Sequence, residues 1–413
     1  MIDNSQIAGI RAELKEYSQR IPAHLVGPER FNYLFVEVIE KATDVTLQGF
    51  RLFMHQFLLQ MRISEASDIE VGGIGSGGNI WFRCHGIKKP VSELGLFSDD
   101  ETGMLILSLL TPAQRTALTV KRSLDFAYIT EDSEGMTRYR ANAYFEMDSL
   151  ALNMRAIQQT LRDWTSYRFS PLVQKWLSVA HLKGGMILVT GLTGSGKSST
   201  LDAIVNMNNE TVEGHIVIIA SPIEFVHPSK KSLVRHREVG RDTRSFRSGI
   251  VESLRQDPDI IVVGEMRDTE TIVAALEAAD TGHKVFSTLH TPSAIESIDR
   301  VIGETPPLEQ ERVRNRLADV LRMVISQKLV PTLDGKRVLA KEILLMTPSV
   351  RACIRNNNTS EIYQMINEGG QLGMTTMEQD LRQLFLSGRI SKQTAMDFSN
   401  NSRMMHQMLS GMN

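Results

Sequence analysis

The residues best equipped for chemistry stand in one run, Gly191-Leu-Thr193-Gly194-Ser195-Gly196-Lys197-Ser198, directly behind the apolar stretch Met186-Ile-Leu-Val-Thr190. That is the pattern of a phosphate-binding loop between a strand and a helix. Glycines let successive backbone N–H groups curl around a phosphate without Cβ clashes, Lys197 reaches the β and γ oxygens, and the Ser198 hydroxyl can ligate Mg²⁺. The following Ser199-Thr-Leu-Asp-Ala-Ile-Val reads as the helix whose positive N-terminus completes the anion site. The expected ligand is a nucleoside triphosphate with Mg²⁺, and the bland alternative is an ordinary glycine-rich turn. Gly191, Thr193, Gly194, Ser195, Gly196, Lys197, Ser198 and Ser199 are its expected binding residues, Ser198 also holding the metal.

A second run, Ile260-Ile-Val-Val-Gly-Glu265, follows Asp257-Pro258-Asp259 and delivers a carboxylate at the end of an apolar strand. In an open parallel sheet ligands sit at that edge. Glu265 is therefore expected to orient or deprotonate the attacking water while Mg²⁺ on Ser198 neutralises phosphate charge. Thr281-Gly-His283 and Ser287-Thr-Leu-His290-Thr291 bracket the next strand, which puts imidazoles near the same edge. His290 is the better catalytic candidate, because strand order places it beside the nucleotide.

These residues require strands and helices in alternation. From about 176 to 346 the apolar runs Met186–Thr190, Ile216–Ile219, Ile260–Val263 and Val285–Ser287 alternate with helical patterns, the signature of a parallel sheet flanked by helices. Upstream, residues 1–61 look helical and polar, with Phe31, Leu34, Phe35, Val38 and Ile39 spaced for one helix face after the breaker pair Gly27-Pro28. This segment is a packing appendage or a docking helix. Residues 62–157 change to short strand-like runs with glycine turns, among them Asp68–Val71, Ile80–Cys84, Leu124–Tyr128 and Arg138–Phe145, with a helix near Thr102–Leu110. That texture is a small α+β domain. A connecting stretch, 158–175, places Ser170-Pro171 as N-cap and first helical residue. The region 347–413 is polar and methionine-rich, with a helix over Glu378–Leu386 ended by Gly388.

The 413 residues suit two or three domains, and 42% hydrophobic residues suffice for proper cores. A net charge of −2 from 46 basic and 48 acidic residues carries no electrostatic footprint of a nucleic-acid binder, so no nucleic-acid partner is expected. Cys84 and Cys353, far apart, cannot make a four-cysteine zinc site and point to a reducing compartment. No run reaches the length of a membrane span, and Met1-Ile-Asp-Asn-Ser-Gln lacks the charged and apolar regions of a secretory signal. A cytoplasmic protein that meets a membrane only through partners is the expectation.

Taken together, Arg237–Phe246, Leu254–Asp268, Ala279–His283 and Ser287–Thr291 resemble the secretion ATPase superfamily, and within it the type IV pilus retraction ATPases of the PilT kind. The resemblance runs from about Glu65 to Leu386 and includes Glu65-Ala-Ser-Asp68, Arg138–Asn142, Ser326-Gln-Lys-Leu329 and Glu361–Ile366. It implies an α/β protein with a RecA-like P-loop ATPase domain and a smaller α+β, PAS-like N-terminal domain, assembled as a homohexamer with ATP between the domains. It further implies that Arg138, Arg140 and Arg155 are candidates to reach phosphate during domain closure. The implied work is at the inner face of the cytoplasmic membrane, where domain closures around the ring act on a pilus or secretion platform protein to drive retraction and twitching motility. Assembly ATPases of the superfamily resemble one another in a four-cysteine zinc insertion and a longer N-terminal region, neither present here, which favours retraction.

Two departures from the family pattern stand out. The acidic box Thr-Ile-Glu-Asp-Pro-Ile-Glu appears as Ile218-Ile-Ala220-Ser221-Pro222-Ile223-Glu224, so Glu224 alone remains as its catalytic carboxylate. The C-terminal Ala-Ile-Arg-Asn-Leu motif appears as Cys353-Ile-Arg-Asn-Asn357. Rival readings are an ATPase of a related secretion, conjugation or pilus-assembly machine, and, from Ala220 and Ser221, a weakly hydrolysing nucleotide-binding partner of an active paralogue.

Overall fold

The computed structural model describes residues 4–84, 87–132, 135–157 and 161–410. The chain divides into two compact units, residues 1–159 and 160–413.

The first unit is built on six antiparallel strands: β1 (Ala66–Gly72), β2 (Trp81–Cys84), β3 (Ile87–Pro90), β4 (Ser123–Asp132), β5 (Gly135–Glu146) and β6 (Ser149–Ile157). Their order in the sheet is β3-β2-β1-β6-β5-β4. Two helices, Asp44–Ile63 and Asp99–Leu109, pack on the central strands β1 and β6. The first of them buries Leu47, Phe50, Phe53, Met54, Phe57, Leu58 and Met61, a stripe at helical spacing. At about 1.5–3 kcal/mol for each large apolar side chain, that stripe is a major part of the unit's stability. Residues 4–61 are mostly helical, and they share one hydrophobic core with the sheet: Leu34, Val38 and Ile39 join it, while Phe31 and Phe35 are only partly covered. Of the strands here, β3 and β6 were not visible in the sequence, being short or uneven in polarity.

The second unit has seven strands: β7 (Gly185–Thr190), β8 (Gly214–Ala220), β9 (Ser232–Glu238), β10 (Ile260–Val263), β11 (Lys284–Leu289), β12 (Leu321–Pro331) and β13 (Arg337–Leu345). The order is β13-β12-β7-β11-β10-β8-β9, parallel throughout except for the antiparallel edge strand β13. β7, β10 and β11 are buried along their whole length. That follows from apolar runs covered by helices on both faces. The stretch expected to connect the domains instead contributes Tyr167, Phe169, Val173 and Leu177 to this core, with Ser170 capping the helix Pro171–Leu177. The helices Met377–Leu386, Lys392–Phe398 and Ser402–Leu409 close a smaller cluster over β12 and β13, around Val330, Val338, Met377 and Leu381. Among the described residues no helix is long and apolar enough to cross a membrane.

Candidate functional site

The site lies where β7, β8, β10 and β11 end together. Register fixes this: Thr190 pairs with Leu289, while Val263 pairs with both Ile219 and Ser287. One residue or two beyond those pairs stand Gly191, His290, Glu265 and Ser221, from four stretches far apart in the chain.

The loop after β7 leads directly into the helix Lys197–Thr211. Gly194 and Gly196 hold φ of 80° and 87°, a region that side chains disfavour. A Cβ on Gly191 would sit 2.4 Å from the Ser195 Oγ and 2.5 Å from the Gln327 carbonyl oxygen, so only glycine lets the loop close against β12. Gln327 itself donates from Nε2 to the Ser195 carbonyl at 2.8 Å. Lys197 is buried, and its Nζ donates to the carbonyls of Gly191 at 2.8 Å and Leu192 at 3.1 Å, leaving one of its three hydrogens for an anion. Burial pushes its amine down, and the negative fields of Glu265 and Glu224 oppose that shift. Gly194, Thr193, Ser198 and Ser199 are exposed along the loop. The Ser195 and Thr200 hydroxyls are buried without a hydrogen-bond partner, polar capacity that phosphate oxygens would satisfy.

Glu265 is set by two backbone bonds around it, Gly264 N–H to the Ile219 carbonyl at 2.8 Å and Met266 N–H to the Thr288 carbonyl at 3.3 Å. Its carboxylate pairs with the Arg267 Nε at 2.7 Å and lies 3.8 Å from the His290 Nε2. The His290 imidazole titrates below its ordinary value, chiefly through desolvation and then the Lys197 charge. His283 lies at the other end of β11, where its Nδ1 is within hydrogen-bond reach of Thr281 Oγ1 at 3.0 Å. It is therefore not part of this cluster. Glu224 stands on the irregular segment between β8 and β9, half-buried, and acts on Lys197 through its charge. At the altered box, Ala220 is half-buried and Ser221 exposed. Glu238, at the end of β9, reaches back to accept the Ile223 N–H at 3.2 Å.

Among the described residues no group of three or more His, Cys, Asp or Glu side chains is arranged to hold a metal by itself. Mg²⁺ characteristically takes one or two protein oxygens and completes its shell with waters and substrate phosphates, so the exposed Ser198 hydroxyl beside Lys197 fits that ion without a protein cage.

Several contributors escaped the sequence reading. A small cavity of about 100 Å³ opens beside the loop, walled by Gly196, Ser199 and Thr200, by Tyr167 and Leu329, and by Arg162, Arg337 and Arg389. Tyr167 is fixed there by donating its hydroxyl to the Ser199 carbonyl at 2.8 Å. Nothing in the local sequence marks Arg162, Tyr167, Arg337 and Arg389 as neighbours of the loop, which they reach from the segment before the sheet, from β13 and from the C-terminal region. Arg138, Arg140 and Arg155 lie in the first unit on β5 and β6, Arg140 opposite Arg155 in register. Arg138 is buried, Arg155 pairs with Asp68 at 2.7 Å, and Arg140 is exposed.

Comparison with known proteins agrees with this geometry. The family model described as type II/IV secretion system protein matches residues 147–337. A twitching motility protein of Neisseria gonorrhoeae is 41% identical over 324 residues, 78% of this chain and 85% of that one. The type IV pilus retraction ATPase PilT of Pseudomonas aeruginosa is 42% identical over 291 residues, 70% of this chain and 83% of its own. Among solved structures, the pilus retraction motor PilT with bound ADP superposes with a TM-score of 0.77 at 36% identity, covering 85% of this chain and 98% of that one. By family match, by identity over most of both chains and by a shared RecA-like fold, the chain belongs to the secretion ATPase superfamily, with its likeness to PilT-type pilus retraction ATPases, and is an ATP hydrolase.

Proposed function

We propose that this protein is a hexameric motor that converts ATP hydrolysis into domain motion and powers type IV pilus retraction. The observation that carries the reading is the convergence of Lys197, Ser198, Glu265 and His290 at one sheet edge, in a chain whose relatives are named for retraction and twitching. In this reading the triphosphate lies over the loop from Gly191 to Ser199, and the nucleoside enters the cavity beside Tyr167 and Leu329. Lys197 neutralises the β and γ oxygens, and Glu265, held by Arg267, orients the attacking water and takes its proton. His290 donates toward the transferred phosphate, and the Glu224 carboxylate adds negative charge that acts on Lys197. Mg²⁺ on Ser198 supplies charge neutralisation when bound. Arg138, Arg140 and Arg155 are proposed to complete a phosphate site shared between protomers, and the inner-membrane platform of the pilus is the proposed object of the force.

The test is steady-state ATPase activity of the purified full chain, with retraction scored by twitching in cells. Lys197→Ala is expected to abolish productive ATP binding, and Glu265→Gln to keep binding while lowering kcat at least a hundredfold, as loss of a water-orienting or charge-stabilising group typically does. Near-wild-type turnover in either variant overturns the site. The replacement of two box carboxylates by Ala220 and Ser221 favours one other reading, a weakly hydrolysing partner of an active paralogue. Wild-type activity seen only when that paralogue is added would select it.

A further inference from the structure

Glu224 stands on residues 221–231, which run from β8 to β9 without regular secondary structure. A segment of that kind has no ladder to fix a carboxylate, so its side-chain ties decide where Glu224 stands. On one side the ties run to the helix that begins with Lys197. His227 Nε2 meets Asp202 Oδ1 at 3.1 Å, and Asn209 donates to the Pro228 carbonyl at 2.8 Å while accepting the Lys230 N–H at 3.0 Å. On the other side, toward β9, the Ile223 N–H is accepted by Glu238 Oε2 at 3.2 Å and the His227 N–H by His236 Nε2 at 3.0 Å.

His227 is the member of this set that links both sides. It is 2% exposed, its ring lies flat over His236 with centroids 6.2 Å apart, and it meets Phe225 edge-on at 4.6 Å. Its Nε2 faces a carboxylate, which can only accept, so that nitrogen carries the proton and donates. We infer that His227 is a positioning residue for Glu224: through Asp202 it sets the spacing between the segment bearing that carboxylate and the helix bearing Lys197 and Ser198. His227 does not touch the nucleotide, and its effect on the rate passes through Glu224. Since misplacement by about 1 Å can cost about a hundredfold in rate, a tie of this kind shows in kcat before it shows in binding. The inference rests on the reading of Glu224 as part of the hydrolytic site.

The experiment measures kcat, KM for ATP, ADP affinity and melting temperature on the full-length protein. His227→Phe keeps the ring and removes the bond, and is expected to lower kcat about tenfold or more with ADP affinity within threefold of wild type. His227→Gln, whose amide N–H can reach Asp202, should recover most of that loss, whereas Asp202→Leu should reproduce it. Combined with Glu224→Gln, His227→Phe should cost less than twofold further, because the residue it positions is already disabled. The inference fails if His227→Phe or, should that variant not fold, Asp202→Leu keeps kcat within twofold of wild type. It also fails if the two losses simply multiply in the double variant. A Glu224→Gln variant with wild-type kcat would instead overturn the underlying reading of Glu224, an outcome separable from failure of His227 alone.

Discussion

At the scale of single residues, charge placement governs the chemistry. The His290 imidazole is held below the ordinary value of 6.5 by desolvation and by the positive charge of Lys197, with Glu265 opposing. It is accordingly neutral at pH 7. Turnover should stay flat from pH 8 to 6.5 and fall only in more acidic solution as the ring takes up a proton. His290→Asn should remove that acid limb, as a pH profile of kcat will check. The altered box offers a second test. Ala220 and Ser221 sit at the end of β8, near the carboxylates of Glu224 and Glu238 that remain in its neighbourhood. Restoring Ala220→Glu with Ser221→Asp adds metal- and water-positioning groups, and a gain of about 1.4 kcal/mol in transition-state stabilisation corresponds to a tenfold rise in turnover. Equal kcat in parent and restored variant, at saturating Mg²⁺ and ATP, would show that Glu265 and Glu224 suffice.

At the scale of elements, the phosphate loop depends on the strands beside it. β12 carries Ser326 opposite Thr190, their hydroxyls 2.8 Å apart, and the next residue, Gln327, presses the loop closed. β11 begins with Lys284, fully buried, whose Nζ donates to the carbonyls of Trp176, Ser178 and Leu182 and so satisfies the end of the helix Pro171–Leu177. Burial brings the Lys284 amine down to about 7. In the unfolded chain such an amine stays protonated to about pH 10.4, so between the two values the unfolded state holds more protons. Stability from this group therefore rises with pH above 7 and is lost as pH falls toward it. The stability of wild type relative to Lys284→Met should rise from pH 7 to pH 9, by about 2 kcal/mol, read as a relative gain in melting temperature. A constant gap would place the Lys284 amine's titration outside that range.

At the scale of the whole molecule, the two units carry different parts of the proposed machine. The nucleotide loop, Glu265 and His290 belong to the second, and the three candidate arginines to the first. A site that borrows arginines across a protomer boundary is incomplete in a monomer. With an ATP analogue, light scattering at micromolar protein should give six times the 46.3 kDa protomer mass. Monomer alone under those conditions would count against shared sites. In the same assay, Arg140→Ala should reduce turnover and leave the assembled mass unchanged.

The sequence by itself determined what is local. The run Gly191–Ser198 behind Met186–Thr190 specified a tight glycine turn from a strand into a helix, which forms between β7 and the helix Lys197–Thr211 with Gly194 and Gly196 at positive φ. The four-residue run Ile260–Val263 is the strand β10 itself, apolar at all four positions and covered on both faces. The end of the helix Met377–Leu386 was likewise legible from Gly388, which takes a φ of 68° just past it, whereas its N-cap, Thr376, came only from the structure. What only the tertiary structure decided is non-local. β9, β12 and β13 carry polar and charged residues within their runs, such as Arg235, Gln327 and Lys341, and their strand character comes from pairing with distant partners. The cavity wall of Tyr167, Arg337 and Arg389 and the tie from Asp202 to His227 join residues many positions apart, with no local pattern to announce them. Spacing along the chain records backbone geometry, whereas contact across a sheet edge depends on strand order and register, which the whole core fixes together.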